Sequence, residues 1–268
     1  MTAALITGLF LGAAVAGLAW RVGALSRSGA VAAAVSGGLI FGLGGLPWAA
    51  LLLAFFISSS ALSRAFARRK AAVAEKFSKG SQRDWGQVLA NGGLGALLVI
   101  LHALLPAQAW VWAAFVGAMA AVNADTWATE LGVLSRSEPR SITSGKVVER
   151  GASGGVSLFG YLAALAGALL IGGIAGLFAS RPDMPALVLA AVTGGLAGSS
   201  FDSFLGATVQ AIYCCPACKK ETERHPRHTC GTETALLRGW PWLNNDLVNF
   251  ACSLVGAAVG VLVWSVAL

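Results

Sequence analysis

Long apolar stretches separated by short basic loops are the feature of this sequence that most limits its fold. Eight stretches have approximately the length of a membrane-spanning helix. They cover residues 3–20, 30–46, 47–64, 87–105, 108–134, 154–179, 185–212 and 246–267. Only 12% of the residues are charged, against about a quarter in an average soluble domain. The sequence therefore predicts an all-α, polytopic helical membrane protein with about eight transmembrane helices in a single integral-membrane domain, 1–268.

The basic residues predict how these helices are oriented. If the spans alternate in direction, 18 of the 19 Lys and Arg residues fall on one side of the membrane and Arg181 alone falls on the other. Because basic loops are enriched in the cytoplasm, we expect a multi-pass protein of the inner (plasma) membrane with both termini outside. The net charge of +7 then follows from topology and attraction for membrane lipids, and no nucleic-acid partner is expected. The basic stretch 64–79 is predicted to continue the third span along the lipid surface.

Acidic residues inside or at the ends of spans are the first functional candidates, because a carboxylate in hydrocarbon costs several kcal/mol unless it is paired or faces water. They are Asp125, Glu130, Asp202 and Asp246. Polar residues at the same cytoplasmic ends are expected to bind substrate or nucleotide. They are Asn91, Asn123, Thr126, Ser203, Asn245 and Asn249. The outer halves are almost purely apolar, which favours chemistry at one leaflet over transport across the membrane.

Two acid-bearing spans share the pattern G-x-x-A-x4-D-[TS]-[WF], which begins at Gly117 and at Gly194. Both spans run in the same direction, so the pattern predicts a parallel internal repeat that presents Asp125 and Asp202 to one site. Mg²⁺ binds one or two carboxylates together with phosphate oxygens, and these two aspartates are the predicted ligands. The alternative is that they pair with basic side chains for packing alone. For Asp246, a further candidate ligand, the alternative is a role in capping the last span.

The loop 135–157 mixes Gly, Ser and Thr with four bases and leads into a span. Backbone amides, a helix start and the side chains of Arg140, Lys146 and Arg150 together predict an anion-binding site. An ordinary cytoplasmic linker is the alternative.

A cytoplasmic Cys/His loop at about 213–243 contains four of the five cysteines. Cytosolic thiols stay reduced, and Cys215, Cys218, His228 and Cys230 have a spacing typical of a tetrahedral structural zinc site. His225 is an alternative to His228, and Cys214 is an alternative to a neighbouring cysteine. A loop of reduced thiols without metal also remains open.

Four motifs resemble the transmembrane protein 19 family, which includes plant and cyanobacterial phytyl-phosphate kinase. They are QVLANGG (87–93), NADTWATELG (123–132), GSSFDSFLGA (198–207) and NNDLVN (244–249). The second motif, with the loop that follows it, resembles more distantly the CTP-dependent dolichol and phytol kinases. Ser153 stands where many relatives are expected to have Asn or Asp, which leaves the detailed role of this loop open.

The resemblance implies phosphorylation of an isoprenoid monophosphate, such as phytyl or geranylgeranyl phosphate, by a nucleoside triphosphate (CTP or ATP). It implies that Asp125 and Asp202 hold Mg²⁺ and that Lys146, with Arg140 and Arg150, neutralises phosphate charge. Glu130 and Asp246 would complete the metal shell or orient the acceptor. The expected partners are therefore an isoprenoid-phosphate lipid, a nucleoside triphosphate and membrane lipids. A transporter of lipid phosphate or a small anion, a CTP-dependent lipid nucleotidyltransferase and a purely structural membrane role are the alternatives.

Overall fold

The computed structural model describes residues 2–67, 75–80 and 82–267, and within them the chain is a bundle of seven helices. The predicted surface extension of the third span, 64–79, includes residues 68–74, which lie outside the described residues. The helices are α1 (Thr2–Arg21), α2 (Arg27–Ala65), α3 (Trp85–Leu104), α4 (Ala109–Gly132), α5 (Leu158–Leu177), α6 (Met184–Thr208) and α7 (Asn245–Ala267). Six of the seven are long and apolar enough to cross a membrane. The exception is α4, whose tryptophans, Asn123 and Asp125 lower its mean hydropathy.

Helix α2 contains both the second and the third predicted spans, so the number of separate helices is seven where eight are predicted. Its backbone leaves the helical region at Gly45, which has φ 72° and ψ −161°, and Pro47 follows. Glycine tolerates this positive φ, and proline cannot continue the hydrogen-bond ladder. A Cβ on Gly37 would lie 3.7 Å from the Leu52 side chain, whereas 15 residues of straight helix would span about 22 Å. The two halves therefore fold back on each other, and α2 contributes two antiparallel segments, as the predicted spans require.

The described loops collect at one end of the bundle, named here the loop end and formed by residues 22–26, 66–67, 75–80, 82–84, 133–157 and 209–244. Hydrogen bonds join these loops to one another. The Ser26 amide donates to the Arg83 carbonyl (2.9 Å), and the Glu223 amide donates to the Lys76 carbonyl (2.8 Å). Lys76 also forms a 2.5 Å ion pair with Glu149. Arg181, in the connection between α5 and α6, lies at the opposite end. The described loops thus follow the predicted partition of charge.

Helix α4 is the centre of the bundle, with every residue from Ala113 to Ala124 buried. It packs against α6 and α7 where three glycines meet. A Cβ on Gly256 would lie 2.6 Å from the Gly117 carbonyl oxygen, and one on Gly194 would lie 2.7 Å from the Gly256 carbonyl oxygen. Side chains at these positions would separate the three backbones, so the glycines fix how closely the acid-bearing helices approach.

Two small antiparallel sheets lie at the loop end. The predicted all-α fold does not include these sheets. Strands β1 (Arg140–Ser141) and β2 (Gly155–Val156) form a hairpin between α4 and α5. The predicted Cys/His loop folds as a three-stranded sheet in the order β4-β3-β5, with β3 at Ile212–Cys215, β4 at Lys220–Thr222 and β5 at Ala235–Arg238. Tyr213 pairs with Thr222 and Cys215 with Lys220 across β3 and β4. The segment between α6 and α7 therefore has a defined fold of its own.

Candidate active site

A cavity of about 420 Å³ lies between the helices at the loop end. Its wall includes the ends of α2, α4 and α6, the starts of α3, α5 and α7, and the loops that join them. Nine of the predicted site residues line it: Asn91, Asp125, Thr126, Glu130, Arg150, Asp202, Ser203, Asn245 and Asn249. The first carboxylate, Asp125, lies seven residues before the end of α4, so the cavity reaches about 10 Å into the bundle.

The two repeat-related aspartates lie together in the cavity. One Asp125 oxygen accepts a hydrogen bond from the Ser199 hydroxyl (3.2 Å). Asp202 Oδ2 is buried and has no hydrogen-bond partner among the described residues. The Asp125 and Asp202 carboxylates are close enough to repel each other electrostatically. Two neighbouring carboxylates with an unpartnered oxygen form a donor set that fits a hard divalent cation.

Glu130 is the third predicted acid in the wall, and its Oε1 accepts a 2.6 Å hydrogen bond from Ser63. Arg83 is near enough to Glu130 for their charges to attract. Glu130 therefore links α4 to the end of α2 through Ser63 and interacts electrostatically with Arg83.

A fourth acid, Glu223, lines the cavity and was missed by sequence reasoning. It follows β4 directly. Its carboxylate accepts hydrogen bonds from the Gln210 amide (3.0 Å), the Ser153 hydroxyl (3.2 Å) and the Ser78 backbone amide (3.2 Å). Burial raises the pKa of Glu223, although these hydrogen bonds oppose the shift. Glu223 also acts electrostatically on both Asp125 and Asp202, so three carboxylates share this part of the cavity.

Cations in the wall offset this negative charge. Burial lowers the pKa of Arg83 to about 10, so the side chain stays charged at neutral pH. The guanidinium lies 5.2 Å from the Phe55 ring centroid and 5.5 Å from that of Phe56, and it donates to the Ser59 hydroxyl (2.9 Å). Arg150 reaches the cavity from the loop before α5, with one Nη2 hydrogen bond to the Arg136 carbonyl (3.2 Å). Arg83 lies in a loop, and neither it nor the residues beside it form a sequence motif that predicts this role.

Lys79 lines the cavity between two carboxylates. It donates to Asp84, the N-cap of α3 (2.9 Å), and forms an ion pair with Asp246. Burial lowers the pKa of Lys79, but the hydrogen bonds to Asp246 and Asp84 outweigh it and raise the pKa above its usual value. Asp246 is not among the described residues that line the cavity. Its Oδ1 is buried without a hydrogen-bond partner among the described residues, and the side chain that caps α7 is that of Asn244, which accepts from the Leu247 amide (3.1 Å).

Asn123 is predicted to bind substrate or nucleotide, but it is not among the described residues that line the cavity. It is fully buried; its amide donates to the Gly167 carbonyl (2.8 Å), and its carbonyl oxygen accepts from the Ser58 hydroxyl (3.1 Å). The Trp127 indole donates to the same hydroxyl (3.1 Å). Asn123 thus joins α4 to α2 and α5, and both ends of its amide are used inside the protein.

Arg140 and Lys146 are exposed on the β1–β2 hairpin, and neither is among the described residues lining the cavity. Arg140 Nη1 donates to the Gly145 carbonyl (2.8 Å). The hairpin directs these two residues away from the cavity, whereas the returning segment 150–157 lines it. The structure therefore places Arg150 in the cavity wall, while Arg140 and Lys146 are not among its described lining residues.

The four residues of the predicted zinc site also come together. Ligand atoms of Cys215, Cys218, His228 and Cys230 all lie within 4.8 Å of one another. They lie within the small sheet between α6 and α7, separate from the cavity but on the same segment as Glu223.

Residues 10–257 match the family described as Integral membrane protein DUF92. The chain belongs to this family. It is 36% identical over 233 residues to Protein PGR of Arabidopsis thaliana, with 79% of each chain covered. It is 32% identical over 242 residues to the uncharacterized membrane protein MJ0933 of Methanocaldococcus jannaschii, covering 90% of this chain and 86% of the relative. The uncharacterized membrane protein sll0875 of Synechocystis sp. is 28% identical over 230 residues. No solved structure matches the chain.

The DUF92 match includes the whole cavity, because its described lining residues run from Ser63 to Asn249. Two of these relatives are named only as membrane proteins, and none of the three names specifies a reaction. The chemistry of this DUF92 protein is therefore argued from the cavity.

Proposed function

We propose that this protein is a Mg²⁺-dependent lipid-phosphate kinase at the cytoplasmic leaflet of the inner (plasma) membrane. It transfers a phosphoryl group from CTP or ATP to an isoprenoid monophosphate such as phytyl or geranylgeranyl phosphate. The observation that carries the proposal is the combination of clustered carboxylates and cations in one cavity, at the loop end of a membrane bundle. A lipid with an anionic headgroup and a water-soluble nucleotide can meet at that position.

The carboxylates fit Mg²⁺. Asp202 has a buried oxygen without a partner among the described residues, and Asp125 uses one oxygen for Ser199. Asp125 and Asp202 are the proposed ligands, with Glu223 as a third nearby acid. Mg²⁺ binds few protein carboxylates and keeps positions for phosphate oxygens, and when bound it neutralises charge that develops during transfer.

The cationic residues are proposed to position the phosphates. Arg150 lies at the loop before α5, and Arg83 and Lys79 lie on the wall beside α3. The start of α5 lines the same cavity, and its first amides add donors for an anion. This set replaces Arg140 and Lys146 as the proposed phosphate contacts, since those two residues are not among the described residues that line the cavity.

Transfer needs little covalent help from the protein. An oxygen of the acceptor phosphate attacks the γ-phosphorus of the donor, the bond from that phosphorus to the β,γ-bridging oxygen breaks, and a nucleoside diphosphate leaves. The acceptor is already an anion at neutral pH, so no side chain has to remove a proton from it. The residues serve mainly to align the two phosphates and offset their repulsion.

The faces of α5 and α6 beside the cavity suit the lipid tail. Tyr161 lines the cavity and its hydroxyl shares a 3.1 Å hydrogen bond with Ser200, linking the two helices. Leu158 and Leu162 near it are 75% and 54% exposed, which is apolar surface that lipid covers in a membrane. A prenyl chain lying against this surface would leave its phosphate at the cavity.

A turnover assay on purified protein in detergent tests the proposal. It offers phytyl or geranylgeranyl monophosphate, Mg²⁺ and each nucleoside triphosphate in turn, and it measures lipid diphosphate and nucleoside diphosphate. Product from the native protein, lost in Asp125→Asn and Asp202→Asn, is the expected result. Release of pyrophosphate would identify a nucleotidyltransferase instead. No product from any donor with folded protein would overturn the kinase, and flux of lipid phosphate in liposomes would then test a transporter.

A further inference from the structure

The geometry points to a structural Zn²⁺ site formed by Cys215, Cys218, His228 and Cys230, which holds Glu223 in the carboxylate cluster of the cavity. The zinc site itself is independent of the proposed kinase activity. The part played by Glu223 in cation binding rests on that proposed function.

The distances between the four side chains match tetrahedral zinc. With Zn–S of about 2.3 Å and Zn–N of about 2.0 Å, a tetrahedron separates two sulfurs by about 3.8 Å and a sulfur from a nitrogen by about 3.6 Å. Cys215 Sγ lies 3.6 Å from Cys230 Sγ, and Cys218 Sγ lies 3.6 Å from His228 Nδ1. His228 Nδ1 lies 3.3 Å from Cys230 Sγ. Three thiolates and one imidazole leave no open position, which is typical of a structural site.

Two tight turns bring the ligands together. In the first, between β3 and β4, the Lys219 amide donates to the Cys215 carbonyl (2.8 Å), and Lys219 has φ 54°. In the second, the Gly231 amide donates to the His228 carbonyl (2.9 Å), and Gly231 has φ 87°. Each turn supplies two of the four ligands.

The second nitrogen of His228 has a suitable neighbour. Nδ1 faces the sulfurs, and Nε2 lies 3.9 Å from a Glu75 oxygen, with the His228 side chain only 1% exposed. This nitrogen is buried without a hydrogen-bond partner among the described residues, so Glu75 is the nearby carboxylate toward which the ring of a metal-bound His228 would be oriented. Glu75 is held by Lys220 (2.6 Å), and its carbonyl accepts a hydrogen bond from Thr222 (2.7 Å).

The structure places both alternative ligands that the sequence left open, His225 and Cys214, outside the group of four. His225 stacks on Tyr213 with ring centroids 4.4 Å apart, outside the group of four. Cys214 precedes Cys215 on β3, and because side chains alternate along a strand, it faces the opposite side of the sheet. Cys214 is therefore a matched control for Cys215.

The zinc site is connected to the cavity through one short strand. Cys218 lies in the first turn, β4 follows that turn at Lys220–Thr222, and Glu223 is the next residue. The Thr222 side chain is buried, and the Glu223 amide is fixed to the Lys76 carbonyl. A metal that fixes the β3–β4 turn thus fixes where Glu223 enters the cavity. Strands β4 and β5 are mostly exposed and the buried residues come chiefly from β3, so a bound metal would add stability to a small core.

Metal analysis of the full-length protein in detergent tests the zinc site directly. We expect about one zinc per chain in the native protein and in Cys214→Ser, and loss of zinc in Cys215→Ser and His228→Ala. Replacement by Co²⁺ should give the absorption of tetrahedral thiolate coordination, which keeps the test informative when a variant folds poorly. Folded native protein that stays free of zinc after growth and incubation with Zn²⁺ would overturn the site.

Binding of Mn²⁺, as a spectroscopic substitute for Mg²⁺, tests the connection to Glu223 without an activity measurement. We expect Glu223→Gln to keep its zinc and to bind Mn²⁺ at least ten-fold more weakly by electron paramagnetic resonance. Protein stripped of zinc by a chelator, then freed of the chelator, should show the same weakening. Unchanged Mn²⁺ binding in both samples would disprove the role of Glu223 and leave the zinc measurement unaffected.

Discussion

Gly117 of α4 and Gly194 of α6, which occupy equivalent positions in the repeated pattern, face each other in the bundle. A Cβ on Gly194 would lie 3.3 Å from the Gly117 Cα. Asp125 and Asp202 follow these glycines by the same number of residues, on helices that run in the same direction. The contact of the two helices at these glycines therefore sets the separation of the two carboxylates, which lie further along each helix. This arrangement fits a parallel repeat with a shared acidic site.

Removing either repeat aspartate tests the carboxylate cluster. We expect Asp125→Asn and Asp202→Asn each to lower lipid diphosphate formation by roughly 100-fold or more, because a metal-centred stabilisation of transferring phosphate is worth several kcal/mol. The initial rate at saturating Mg²⁺ is the measurement. Asp183→Asn, at the opposite end of the bundle, is the matched control and should retain full turnover. Equal rates in all three variants would disprove a catalytic role for the pair.

The glycine contact itself gives a second prediction. Gly117→Val should destabilise the protein by several kcal/mol, because a side chain there would push against the α7 backbone at Gly256. Gly173 of α5 has nothing within 4 Å of a Cβ position, so Gly173→Ala should leave the melting temperature within a few degrees. Both melting temperatures are measured by heating the protein in detergent and quantifying the remaining folded protein by size-exclusion chromatography. Similar melting temperatures for the two variants would contradict the close packing.

The sequence predicts the membrane segments well, because their signal is length and apolarity, which α2 retains on both sides of Gly45. It also predicts that Asp125 and Asp202 share one site and that Cys215, Cys218, His228 and Cys230 lie together, since carboxylates in a span are costly and the Cys/His spacing is distinctive. It misses Glu223, Lys79 and Arg83 because they lie in loops, where no periodicity shows which way a side chain points. Asn123 is misassigned for a related reason: a sequence does not reveal that Gly167 and Ser58 use both ends of its amide.

Asn123→Ala tests that structural assignment. Loss of two buried hydrogen bonds should lower the free energy of unfolding by about 1–3 kcal/mol, while KM for both substrates in the remaining folded protein stays within about two-fold. Asn249→Ala, in the cavity wall, should show the reverse, with a near-native melting temperature and altered kinetics. Melting curves and steady-state kinetics on the same preparations compare the two. A large KM change for Asn123→Ala alone would restore its predicted role in binding.

The basic loop gives a direct contrast between residues of one segment. Lys146→Ala and Arg140→Ala should keep KM for the nucleotide within about two-fold, because both side chains lie on the exposed hairpin. Arg150→Ala should raise that KM by roughly ten-fold, as expected for loss of one contact to a charged phosphate. Kinetics at two salt concentrations would show whether screening removes the difference. A stronger effect from Lys146 than from Arg150 would return the phosphate site to the hairpin.

The raised pKa of Glu223 predicts how stability depends on pH. The folded protein holds the proton of this carboxyl more tightly than the unfolded chain, so its contribution is complete below the ordinary Glu value of 4.5 and is lost as pH rises through the raised pKa. Glu223→Gln, which stays neutral, should therefore melt at a higher temperature than the native protein in buffer without Mg²⁺, by a margin that grows as the pH rises above 4.5. Glu149 is the matched control, because a hydrogen bond from Lys76 lowers its pKa. Glu149→Gln should give a small change of the opposite sign, since that side chain is exposed. A margin for Glu223→Gln that shrinks with rising pH would show that its carboxylate is stabilised as an anion.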